Sequence, residues 1–337
     1  LPWPIVLTVK EKACMAYRSF KILVSSAGRR VGLIECFRRA ARALDIDIQI
    51  LACDLDPDLS AACAVADRAF AVPAYNHPGF TGRLAEIARA HDVRLLVPTI
   101  DPELVPLAAA AGDFAGFDCR VHVSTPPVID VVRDKLETMR VLDAAGVPVP
   151  RTGMLEEVRG ELSRWNWPLF LKPNAGSASR SISMVRSMAD LPERTAEPMI
   201  LQQYLDGPEH TVNAFVDDGG TLQSVISHRR LRIRAGEVEK GVTERNPVHR
   251  AMAEGILRAL PDLRGAFCFQ VMDDRLTGPR VIEINARFGG GYPLVDHAGA
   301  TFAQWLLEEV AGLPRTVHDD WREGVLMLRY DAAVFRG

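Results

Sequence analysis

The stretch "VIEINARFGGG", residues 281–291, decides the fold, because its apolar residues announce a strand while Glu283, Asn285 and Arg287 interrupt them at every second position. Successive strand side chains point to opposite faces, so these three polar groups share one face. Upstream, "GAFCFQVMDDRLTGPRVIEIN" (265–285) reads as two strands joined by a turn around "DDRLTGP". A symmetric hairpin centred between Leu276 and Thr277 sets Gln270 opposite Glu283, about 5 Å apart. Gln270, Glu283 and Asn285 then offer oxygens suited to a hard Mg²⁺ ion bridging phosphates. Arg287, next on that face, is suited to a transferring phosphoryl group. The competing reading is a solvent-facing polar side, which predicts less uniform chemistry and no glycine run.

Further upstream, "WPLFLKPNAGSASRSISMV" (167–185) ends a strand at Lys172 and follows it with a small-residue loop. Such a loop can lay backbone N–H groups, those of Ser177 and Ser179 among them, over phosphates while the lysine supplies charge. No "GK" dipeptide occurs, so it is not a Walker A loop. Lysine usage sharpens the point: the chain has 34 arginines and six lysines, and beyond Lys21 only Lys135, Lys172 and Lys240 remain. Sparing use of Lys is expected where a compact ammonium is needed, although chance can also scatter three lysines.

In "ILQQYLDGPEH" (200–210), an apolar strand end from Gln202 to Leu205 precedes a turn at Asp206–Gly207–Pro208. Backbone groups there can read adenine's edge, and Glu209 or His210 can accept a ribose hydroxyl; the alternative is a plain linker. The basic segment "HRRLRIRAGEVEKGVT" (228–243) carries Arg230, Arg232 and Arg234 on one strand and Lys240 beyond an expected mobile turn. It is read either as a solvated edge strand or as a substrate-side loop in which Arg230 or Lys240 clamps a carboxylate.

The rest of the chain sets the frame. Residues 21–125 alternate strand and helix: strands at "KILVS", 48–53, 94–99 and 119–124, helices after Val31, near 80–91 and at 102–111. That pattern predicts a parallel, doubly wound sheet. Thr125 and Pro126 open one helix and 134–146 forms the next, ended by Gly146, Pro148 and Pro150. After residue 150 hairpins and mixed α+β take over. The turn "SSAGRRVG" with Asp54 after the second strand is a degraded dinucleotide fingerprint, more consistent with a structural turn than with NAD.

A net charge of −3 gives no reason to expect nucleic acid or an anionic membrane as partner, and no apolar run is long enough to span a bilayer. Six cysteines without a C-x-x-C pair predict a reducing, cytoplasmic compartment and no disulfides. No basic stretch precedes the apolar start, which argues against a secretory signal; residues 1–14 read as an extension with little structure.

Taken in order and spacing, "DKLETMRVLDAAGVPVPRT", "PLFLKPNAGSASRS", "LQQYLDGPEHTVNAF", "EKGVT" and "VIEINARFGGG" make the chain resemble the ATP-grasp superfamily, from about Lys21 to Leu313. Within it, the chain is similar to carbamoyl phosphate synthase large-subunit-like ligases with a pre-ATP-grasp domain. The resemblance implies a two-subdomain ATP-grasp fold and the division 1–20 extension, 21–125 pre-ATP-grasp (Rossmann-like) domain, 126–313 ATP-grasp domain and 314–337 C-terminal segment. It implies that Lys135 and Lys172 contact ATP phosphates, that Gln202, Gln203, Tyr204 and Leu205 form the adenine hinge, and that Glu209 binds ribose. Glu283 and Asn285 become Mg²⁺ ligands, with Gln270 as the upstream ligand where many members have a carboxylate. Arg287 stands beside the γ-phosphoryl group and the acyl-phosphate.

The implied activity is an ADP-forming ligation of a small carboxylate to an amine or similar nucleophile. ATP and Mg²⁺ are the expected cofactors, with Mn²⁺ as a candidate substitute, and a homodimer is compatible with this reading. Carbamoyl-phosphate chemistry and a non-catalytic ATP-binding paralogue are the alternatives; a single ATP-grasp unit weighs against a full synthase. The chain departs from the pattern at Ala178 and Ser181, where glycines are common, and at Gln202 and Gln203, where a Glu is usual.

Overall fold

The computed structural model describes residues 19–176 and 182–336. Five parallel strands come first: β1 (Ser19–Ser25), β2 (Asp47–Asp54), β3 (Arg68–Ala71), β4 (Leu95–Pro98) and β5 (Arg120–Val121), in the order β3-β2-β1-β4-β5. Their apolar runs are buried because helices cover both faces. On one face pack the helices Phe80–Ala90 and Leu104–Ala115; on the other, the helix Val31–Ala43. This is the expected doubly wound sheet. The strand β3, "RAFA", is an addition: it has one partner and no buried side chain, so it lacks the apolar run by which a strand is recognised.

Chain order reverses between β1 and β4, so the crevice at the carboxyl ends of those strands is a topological switch point, where open α/β sheets bind ligands. The buried Glu103 organises it. Its carboxylate accepts from Ser26 Oγ (2.8 Å), the Thr99 amide (2.7 Å) and the Ile100 amide (3.1 Å). Asp54, in contrast, folds back on the first loop and accepts the Gly28 N–H at 2.7 Å. Its carboxylate serves the turn.

Two antiparallel sheets come next. The smaller contains β6 (Thr152–Met154), β7 (Leu169–Pro173), β8 (Ser183–Val185) and β9 (Met199–Gln203), ordered β6-β9-β7-β8. The larger contains β10 (Glu209–Val216), β11 (Leu222–Arg234), β12 (Glu237–Thr243), β13 (Gly265–Asp274), β14 (Gly278–Asn285) and β15 (Leu326–Leu328), ordered β14-β13-β10-β11-β12-β15. One face of this sheet packs on the helices Lys135–Ala144 and Pro247–Ala259 through Val212, Ala214, Phe267 and Phe269. The helices Tyr292–His297 and Phe302–Ala311 then return to the first sheet. Their Tyr292, Phe302 and Trp305 join Phe37 and Ile34 in one core, along with Phe215 from the large sheet. That shared core brings the switch-point crevice and the exit of β14 together.

Candidate active site

The β13–β14 hairpin has the expected register where it matters: Gln270 pairs with Glu283, and Cys268 with Asn285. A bulge between Gln270 and Val271 shifts the register toward the turn without disturbing these pairs. Glu283 is half-buried, and its desolvation lifts its pKa while the Lys135 and Lys172 ammonium groups pull it back down. The reciprocal effect reaches the lysines. Burial lowers both, offset by Glu283, and Lys172 is pushed down to about 8. Lys172 sits at the end of β7, its Nζ 3.5 Å from the Ile282 carbonyl; Lys135 opens its helix and donates to the Gly176 carbonyl at 2.9 Å. Asn174 ties the two together, accepting the Leu136 N–H on its side chain (2.9 Å) and the Lys135 N–H on its carbonyl (3.1 Å). Thus three distant segments place two ammonium groups beside one carboxylate.

Arg287 extends the same site. Its Nη2 donates to Asp101 Oδ2 (2.6 Å) and to Asn285 Oδ1 (3.2 Å). Burial is the largest single influence and disfavours its charge, but the Asp101 carboxylate, its hydrogen bond and the nearby Cys268 and Glu283 together raise the pKa, so Arg287 is a fixed cation. Next to it, Glu237 of β12 takes Arg30 on one oxygen (3.0 Å) and Arg329 on the other (2.8 Å). The three glycines that close the opening stretch have their reason here. A Cβ on Gly289 would lie 3.1 Å from Cys268 Sγ, one on Gly290 2.7 Å from Glu237 Cδ, and one on Gly291 2.8 Å from His228 Nε2. Close approach on three sides, rather than an unusual turn, favours glycine, most firmly at Gly291 against the buried His228 ring.

Several expectations need correction. The Gln270 amide lies between Glu283 Oε2 (3.0 Å) and Arg230 Nη1 (3.1 Å), and both contacts become hydrogen bonds when its nitrogen faces Glu283 and its oxygen faces Arg230. In that orientation it orients Glu283; turned the other way, its oxygen stands beside Glu283 as the expected upstream ligand. Arg230 is neither a solvated edge charge nor a mobile clamp: its guanidinium is buried, paired with Glu209, and also donates to the Gly236 carbonyl (2.8 Å). Lys240 lies within β12, in register with Arg232 and Leu328, because the turn closes earlier at Ala235–Gly236. His210 points away from Glu209, onto the helix-covered face of the sheet beside His249, as strand alternation requires.

The hinge residues lie where β9 ends. Gln202 is buried and donates to Thr152 Oγ1 (2.9 Å), the Gln203 amide donates to the Arg151 carbonyl (2.8 Å), Tyr204 stacks near Phe170, and Leu205 is buried. Ser177 and Ser179, with Ala178 and Ser181, lie outside the described residues. Sequence reading missed Asp101, Arg30, Glu237 and Arg329. Asp101, next to the end of a parallel strand, carried a usable signal; Arg329 carried none.

The site is thus a cluster of cations, Lys135, Lys172, Arg30, Arg287 and Arg329, around a half-buried carboxylate and a buried amide, between the switch-point crevice and the large antiparallel sheet. A cation-rich site of this kind suits an anionic ligand. Residues 132–291 match the model of the ATP-grasp domain, and residues 22–122 match that of the PylC-like N-terminal domain. The chain carries an ATP-grasp domain behind a PylC-like N-terminal domain.

Among curated proteins, phosphoribosylamine–glycine ligase of Corynebacterium ammoniagenes is 23% identical over 245 residues, 64% of this chain and 57% of the relative. The chain spans little more than half of that relative's length. Among solved structures, the biotin carboxylase domain of Hydrogenobacter thermophilus 2-oxoglutarate carboxylase, determined with MgADP, ADP and bicarbonate, superposes with a TM-score of 0.69 at 20% identity, covering 91% of this chain and 73% of that one. The L-amino acid ligase of Bacillus licheniformis gives a TM-score of 0.66 at 16% identity, covering 91% and 78%. These structures share the fold. Among the described residues no helix is long and apolar enough to cross a membrane.

Proposed function

We propose that this chain is an ATP-dependent, ADP-forming ligase that activates a small carboxylate as an acyl-phosphate for attack by an amine or similar nucleophile. The observation that carries this reading is the meeting of Lys135, Lys172, Glu283, Asn285 and Arg287 in one cluster beside the switch-point crevice. Lys135 and Lys172 hold the ATP phosphates as point charges, and the linker after β9, Gln202 to Leu205, holds adenine. Glu209, kept in place by Arg230, is directed at the ribose. Glu283 and Asn285 present the all-oxygen donor set that Mg²⁺ prefers, and Gln270 orients Glu283. The ion supplies charge neutralisation on the phosphates when bound; Mn²⁺ as a substitute belongs to the same reading.

In the first step a carboxylate oxygen bonds to the γ-phosphorus as the bond to the ADP oxygen breaks. In the second, the nucleophile bonds to the acyl carbon and phosphate leaves. Arg287 faces the charge that shifts in both steps, and being fixed by Asp101 it needs no reorganisation. The catalytic contribution is positioning and charge, as phosphoryl transfer requires. The division 1–20, 21–125, 126–313 and 314–337, a homodimer and a cytoplasmic setting are retained as parts of this proposal.

A second reading, a non-catalytic ATP-binding paralogue, would retain the lysines and keep the Arg287–Asp101 pair for stability alone. The deciding experiment is ADP release from ATP and Mg²⁺ across a panel of amino acids and other small carboxylates, each with pooled amines. Carboxylate-dependent ADP release supports the ligase. ATP binding without ADP release over the whole panel overturns it.

A further inference from the structure

On the face of the large sheet opposite the nucleotide cleft lies a polar cluster that the ligase reading does not use. His210 of β10 and His249, in the first turn of the helix Pro247–Ala259, are both almost fully buried, 3% and 1% exposed. Their rings stand 5.0 Å apart. Asp273 of β13 lies between them: His210 Nδ1 is 3.2 Å from Oδ2, and His249 Nε2 is 3.5 Å from Oδ1. Nevertheless His210 Nδ1 and Asp273 Oδ1 have no hydrogen-bond partner among the described residues. Two imidazoles and a carboxylate therefore converge with His210 Nδ1 and Asp273 Oδ1 unsatisfied and His249 Nε2 met only by a long contact of 3.5 Å from Asn246 Nδ2, a costly arrangement in a buried place.

We propose that His210, His249 and Asp273 form a site for a zinc-class divalent cation, distinct from the Mg²⁺ position in the cleft. One donor atom from each residue lies within 4.8 Å of the others. A tetrahedral ion with bonds of about 2.0–2.1 Å sets its donors roughly 3.3 Å apart; the two His–Asp contacts, 3.2 and 3.5 Å, run to different carboxylate oxygens, so the side chains close in slightly for one Asp273 oxygen to meet both imidazoles at the ion. Two imidazoles and one carboxylate favour such a borderline ion over Mg²⁺, which prefers oxygen alone.

A second feature points the same way. The far nitrogen of His210, Nε2, is 3.0 Å from Glu244 Oε2, and Glu244 is held in turn by Arg229 Nε at 3.0 Å. A carboxylate on the outer nitrogen fixes the tautomer that leaves Nδ1 free to ligate, the usual arrangement behind a metal-bound histidine. The Asp273 carboxylate is 24% exposed, which gives the ion a way in and a water as fourth ligand. The site joins β10, β13 and the helix Pro247–Ala259. Asp273 also receives the chain after the hinge, its N–H donating to the Pro208 carbonyl at 2.9 Å.

The test uses the purified full chain, equilibrated with Zn²⁺ and dialysed against metal-free buffer, with zinc measured by mass spectrometry and melting temperature by calorimetry. The expected result is a single zinc per chain and a higher melting temperature with zinc than with chelator. His249→Ala should lose the zinc; Glu283→Ala, in the nucleotide cleft, should retain it. Glu244→Gln, which leaves all three ligands in place, should weaken zinc affinity by about 10–100-fold. Co²⁺ in place of Zn²⁺ should show the visible absorption of a four-coordinate ion. No retained zinc, or the same zinc content in wild type and His249→Ala, overturns the proposal. The cluster would then be a buried histidine–carboxylate network alone.

Discussion

Arg287, two residues beyond β14, donates to Asp101 Oδ2 at 2.6 Å, and Asp101 follows β4 of the parallel sheet. Asp101 is buried and Arg287 largely so, their side chains 6% and 12% exposed, so the pair spans the two sheets in a largely desolvated setting. Removing one partner strands the other charge. Asp101→Ala should cost about 3–5 kcal/mol of stability, more than the pair itself is worth. It should also lower turnover at least tenfold, since Arg287 loses its orientation. Chemical denaturation and ADP release check the two effects; wild-type stability in Asp101→Ala would show that the pair is dispensable.

Glu283 lies between two ammonium groups and under the Gln270 amide, and its part is to balance charge rather than to pack. Glu283→Ala should therefore abolish turnover with the fold intact by circular dichroism. Gln270→Ala, which removes the orienting donor, should lower turnover less. Equal turnover in Glu283→Ala and wild type would remove Glu283 from the metal set.

Lys172 gives a pH signature with two opposite signs. Burial holds its folded-state pKa at about 8, below the ordinary value of 10.5. Between those values the unfolded chain binds the extra proton, so this group makes the ligand-free protein more stable as pH rises through that window. Below about pH 8 the lysine is charged in both states and its buried charge is a constant penalty. ATP needs the charged form. The KM for ATP should therefore rise above about pH 8, just where Lys172 starts to favour the free fold. Parallel KM and melting profiles test this, and Lys172→Ala should lack both trends. Lys172→Arg should restore affinity only in part, because a planar fork fits a tight phosphate pocket poorly.

Arg230 and Lys240 should separate cleanly. Arg230 is buried between Glu209 and Gln270, so Arg230→Ala leaves both without their donor and should lower melting temperature and ATP affinity together. Lys240, part-exposed in β12, should tolerate alanine within about 0.5 kcal/mol. Isothermal titration with an ATP analogue and thermal unfolding decide. An Arg230→Ala variant changed only in its carboxylate KM would return Arg230 to the substrate side.

Features that depend on local periodicity were legible in the sequence. Alternation of apolar runs and amphipathic stretches from 21 to 125 specifies a parallel sheet, because strands buried on both faces need crossover helices. The period of two placed Glu283 and Asn285 together, and the symmetry of a short turn placed Gln270 opposite Glu283, since hairpin register depends on neighbours in the chain. The same local rules could not say which way Gln270 turns its amide, because that depends on Arg230, far away in the sequence. Nor could they separate His210 from Glu209: alternation puts them on opposite faces, but only the packing of the helix Pro247–Ala259 determines which face is dry. Asp101, Arg30, Glu237 and Arg329 meet around Arg287 and Gly290 because the helices Tyr292–His297 and Phe302–Ala311 dock back on the first sheet. Docking is set by shape and buried area summed over distant segments, and no short stretch of sequence carries that information.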